Sequence, residues 1–77
     1  MAFKIDAIWA FIATDANGDE GVAAFHHPQQ GWVPLIGADV GRIDSLRPMV
    51  QQLATEDGTA IELRRFTGMS TVETINP

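Results

Sequence analysis

The chain has no cysteine and no tyrosine, and its five basic residues face ten acidic ones, a formal net charge of −5 over 77 residues. Without cysteine there is no disulfide framework, thiolate zinc site, iron–sulfur cluster or cysteine nucleophile, which fits a reducing setting. The cations are Lys4, Arg42, Arg47, Arg64 and Arg65. They are too few and too scattered for the clustered basic surface that nucleic acid requires. No apolar run approaches the roughly 20 residues that span a bilayer, and Lys4 is followed by Asp6 instead of a secretory core. The expectation is a soluble, cytoplasmic protein with neither nucleic acid nor membrane as partner. The length suits one α+β domain over 1–77 and excludes a barrel of about 250 residues. Small domains without disulfides commonly draw stability from a metal or a partner chain.

No repeat or low-complexity tract interrupts the chain. Residues 3–14 (FKIDAIWAFIAT) are almost continuously apolar from Ala7 to Ala13, as in a strand covered on both faces. Asn17-Gly18 lies between this run and a second strand over 20–27, the strongest short-range hairpin signal. A two-residue turn there places Trp9 opposite His26, Phe11 opposite Ala24 and Ala10 opposite Phe25. A third strand over 32–36 contains Pro34, which cannot donate to a ladder and so marks an edge. Val40, Ile43, Leu46, Val50, Leu53 and Ala54 recur at helical spacing. They predict a helix over 40–57 with Asp39 as N-cap, Gly58 as stop and a kink at Pro48. A fourth strand follows over 59–67.

These elements predict a βββαβ order and a small, mostly antiparallel four-stranded sheet, strand order 4-1-2-3, with one helix on one face. The fourth strand would lie beside the first and parallel to it. A single helix covers one face only, assigned to Trp9, Phe11 and Ala13. The other face then exposes Ile8, Ala10, Ile12 and Phe25, rimmed by Asp6, Thr14 and His27, an apolar centre with a polar border. A second copy of the chain would shield it, the competing cover being the C-terminal tail with Val72 and Ile75.

The chemical motifs each have a structural counterpart. Asp15-x-Asn17-x-Asp19 imitates a calcium loop but fails at the sixth position, Glu20, and the twelfth, His26. A solvated hairpin tip explains it better. His26 and His27 are adjacent, so on a strand they point to opposite faces and cannot chelate one ion within one chain. Arg64-Arg65 diverge in the same way. Glu56-Asp57 oppose the helix dipole at the helix C-terminus, marking a partner contact or neutralisation by Arg64 or Arg65. Trp32, beside Gly31, is the aromatic best placed to be exposed. No nucleophile, phosphate loop or oriented base is present, so neither enzyme chemistry nor a cofactor is expected.

The reading is a non-catalytic regulatory module that self-associates as a dimer through Ile8, Ala10, Ile12, Phe25 and His27. Further partner contacts are expected at Asp15, Asp19, Glu20, Trp32, Glu56 and Asp57. One alternative is a small-ligand or metal binder using His26, His27 and Trp32 at a chain interface. Another is an acidic inhibitor of a basic nucleic-acid-binding enzyme, acting through Asp15, Asp19 and Glu20.

Overall fold

Asp15 organises the first reversal of the chain. Its Oδ1 accepts the N–H groups of Asn17 and Asp19 at 2.8 and 3.0 Å, while its backbone N–H donates to the Asp19 carbonyl at 2.9 Å. Gly18, at φ 85°, supplies the left-handed residue that this turn needs. The computed structural model describes residues 4–77, and the turn joins β1 (Ile8–Thr14) to β2 (Glu20–Val22). The turn is longer than the two-residue Asn17-Gly18 reversal, and the register moves by one: Ile12 faces Val22 and Thr14 faces Glu20. A slip of one residue turns every side chain of the second strand to the other face. Phe25, expected on the face away from the helix, therefore packs with the core on the helix side. The first strand begins at Ile8; its expected start at Phe3 lies outside the described residues, and residues 4–7 form no strand.

The second and third expected strands each break once, at Ala23 and Leu35, and the breaks meet. Phe11 N–H donates to the Leu35 carbonyl, Ala23 N–H to the Phe11 carbonyl and Leu35 N–H to the Ala23 carbonyl, at 3.0, 2.8 and 2.8 Å. Three strands thus share one closed ring of backbone hydrogen bonds. Beyond it, β3 (Ala24–His27) leaves β1 and pairs with β4 (Gly31–Pro34) as a separate hairpin. The chain returns at β5 (Ile36–Gly37), which takes up the edge of β1 beside Trp9 and Ala10. β4, with Pro34 at its end, pairs with β3 alone among the described residues, so it is an edge strand as expected, though of this hairpin and not of the main sheet.

Asp39 Oδ1 accepts the Arg42 N–H at 2.8 Å and starts α1 (Val40–Asp57); Gly58, at φ 67°, ends it by donating to the Ala54 carbonyl. One helix runs through Pro48. Ile43, Leu46 and Val50 are its buried residues, with Met49 and Leu53 beside them. Val40 is exposed and drops out of the expected stripe. Its first turn sits close on β5, where a Cβ on Gly37 would lie 2.6 Å from Arg42 Cγ.

The last strand, β6 (Glu62–Phe66), lies beside β1 as expected, but antiparallel to it. The branch at Ala23 and Leu35 is the reason. A simple meander would bring the third strand parallel to the first, whereas β5 runs antiparallel to β1. The helical crossover then returns β6 parallel to β5, so the two flank β1 on opposite edges. The main sheet reads β6, β1, then β2 and β5 end to end, in place of 4-1-2-3. Phe11, Ala23, Leu35, Ile43, Leu46 and Val50 form the core. Residues 67–77 are exposed throughout, with Val72 at 95% and Ile75 at 86%, and do not cover the sheet.

Candidate interaction surface

Alternation along β1 sends Trp9, Phe11 and Ala13 to the helix and Ile8, Ala10 and Ile12 to the opposite face. Cross-strand neighbours complete that second face: Phe66 beside Ile8, Arg64 and Ile36 beside Ala10, Glu62 and Val22 beside Ile12. No helix or strand lies over it among the described residues. Its floor is not the exposed centre that the sequence suggests, because Ala10 is 1% and Ile12 6% exposed. The accessible apolar side chains are those around the floor, Val22 at 46%, Ile36 at 36% and Phe66 at 47%.

Arg64 stands beside this floor, opposite Ala10. Its guanidinium reaches from β6 across β1 to Glu20 on β2 and also bonds Glu62 Oε2, at 3.0 Å through Nε and 2.7 Å through Nη2. By register this ion-pair bridge runs from the level of Ala10 to that of Thr14, past Ile12. The Arg64 guanidinium holds the Glu20 carboxyl below its ordinary value, through the hydrogen bond first and the charge second. Glu20 and Glu62 are exposed and Arg64 is half-buried, so the bridge is a small source of stability.

Several expected site residues are placed elsewhere. His27 belongs to the hairpin tip, where its Nδ1 accepts the N–H groups of Gln29 and Gln30 at 3.1 and 3.2 Å. His26 faces Trp32 across the hairpin, ring centroids 5.0 Å apart at 71°, an edge-on contact. Trp32 is 71% exposed. His26 and His27 do not converge, and among the described residues no three His, Asp or Glu side chains gather to hold a metal ion. Asp15 and Asp19 build the turn, and only Glu20 of the acidic loop reaches the sheet face. Glu56 accepts from Gln52 at 3.0 Å. Arg64, a candidate to neutralise Glu56 and Asp57, is bonded instead to Glu20 and Glu62.

A second feature has no counterpart in the sequence reading. Because α1 packs over β5 and β3, it leaves the helix-side face of β6 open. A groove of about 560 Å³ runs between them, lined by Phe11, Val50, Ala54, Ile61 and Leu63 with Arg47 at its rim. The alternation of Ile61 and Leu63 signalled an apolar side on this strand. Its distance from the helix was not encoded there.

Fold and surface together define a small α+β domain whose sheet is layered on one side. No family model, curated protein or solved structure matches the chain. Among the described residues no helix is long and apolar enough to cross a membrane.

Proposed function

We propose that the chain is a non-catalytic, cytoplasmic protein-interaction module of a regulatory kind that self-associates through its sheet. One observation carries this reading: among the described residues the face opposite α1 has no second layer, and it presents Val22, Ile36 and Phe66 around an apolar floor. Burying such side chains contributes roughly 25 cal/mol per Å² removed from water, and a second copy offers the same side chains in return. A domain of 77 residues with no cysteine gains proportionately from that burial.

Sedimentation across a wide concentration range tests the reading. The expected result is a mass rising from 8.4 kDa toward twice that value, and a weaker rise for Phe66→Glu, a change at an exposed position that leaves the core intact. A mass of 8.4 kDa at every concentration overturns it.

A further inference from the structure

We propose that two copies join edge to edge along β6, antiparallel and centred on Leu63, to make one continuous sheet. The inference rests on the reading that the chain self-associates, but it places the contact at the edge of the sheet and leaves Val22, Ile36 and Phe66 on the open face uncovered. Phe11 uses both its N–H and its C=O toward Leu35 and Ala23, so Ala10 and Ile12 turn theirs toward β6. Their partners Arg64 and Glu62 are therefore the hydrogen-bonded positions of the β1–β6 ladder. Leu63 and Arg65, and Ile61 just before the strand, point their N–H and C=O groups away from β1, to an edge that no strand occupies among the described residues. Such an edge is a template for another strand.

Charge then selects the register. A twofold axis that pairs two β6 strands antiparallel stands perpendicular to the sheet, so side chains keep their faces and both helices lie on the same side. Centring on Glu62, Arg64 or Arg65 sets that residue against its own copy, a like-charge pair. Centring on Ile61 leaves Arg64 and Arg65 beyond the paired stretch. Centring on Leu63 sets Glu62 opposite Arg64 twice over, and Leu63 opposite Leu63 on the helix side. Ile61, Leu63 and Arg65 are then all in hydrogen-bonded pairs, three pairs with roughly six backbone bonds. The groove beside β6 adds an apolar wall to this contact, since α1 stands back over β5 and does not obstruct a neighbour. The open faces of the two sheets become one surface.

A cysteine-free chain makes the test direct. Across a hydrogen-bonded antiparallel pair the Cα atoms are about 5.5 Å apart, inside the roughly 4.4–6.8 Å that a disulfide spans. Leu63→Cys is expected to give a reducible dimer under oxidised glutathione far faster than Arg65→Cys on the same strand or Trp32→Cys on the projecting hairpin. Leu63→Lys is expected to abolish the dimer while its circular dichroism stays that of the parent. If the parent associates, yet Leu63→Cys cross-links no faster than the controls and Leu63→Lys still dimerises, the edge contact is wrong and self-association stands. If the parent is monomeric throughout, both fall.

Discussion

Leu35 is a sharp test of how this domain is held together, because its side chain and its backbone do different things. The side chain is fully enclosed with Phe11, Ile43 and Leu46, while its N–H and C=O close the ring of bonds where three strands meet. Leu35→Ala keeps the backbone bonds and removes only the packing. The expected cost is about 2–5 kcal/mol, lost transfer energy plus the cavity left behind. A small domain rarely has more than about 3–5 kcal/mol in total, so the variant should approach half-unfolding at room temperature. At roughly 4–8 °C per kcal/mol, the midpoint should fall by at least about 8 °C. Urea unfolding followed by circular dichroism measures this, with Ile43→Val as a milder companion at about 0.5–1.5 kcal/mol. Val72→Ala, in the exposed tail, is the control and should stay within about 0.5 kcal/mol of the parent. A Leu35→Ala cost below about 1 kcal/mol with an unchanged m-value would show that the branch point is not the centre of the core.

Three further outcomes are expected. Asp39→Ala removes the N-cap acceptor of Arg42 N–H and should cost about 1 kcal/mol by urea unfolding. Pro48→Ala should stabilise by roughly 1–3 kcal/mol in the same assay, because Pro48 cannot donate to the Asp44 carbonyl within α1. The Glu20 carboxyl titrates below its ordinary 4.5 in the folded chain, so its contribution is fully present above that value and is lost as pH falls through the lowered one. Melting temperature against pH should therefore drop less steeply in acid for Glu20→Gln than for the parent; identical slopes would refute the bridge to Arg64.

The helix was legible almost to the residue, since Asp39, Gly58 and the spacing of Ile43, Leu46 and Val50 are local signals read within one or two turns. The choice of Phe11 and Trp9 for the helix face was equally accessible from alternation. The first turn was half legible: Asn17-Gly18 marked its place, but the Asp15 carboxylate lengthened it and moved Phe25 across the sheet. Glu62 and Arg64, two apart on β6, share a face by alternation, whereas Glu20 lies 44 residues away on another strand and nothing in the spacing announced the bridge to it.

Composition and periodicity by themselves determined the class of domain, its single helix, the strand-rich first half and the absence of cysteine chemistry. These follow from short-range sterics and from which residues water excludes. Only the tertiary structure decided that the hairpin branches at Ala23 and Leu35, that β6 runs antiparallel to β1, and that Ala10 and Ile12 lie buried. Those outcomes depend on how distant backbone groups share hydrogen bonds and on which strands come to flank β1, and both are settled when the strands meet.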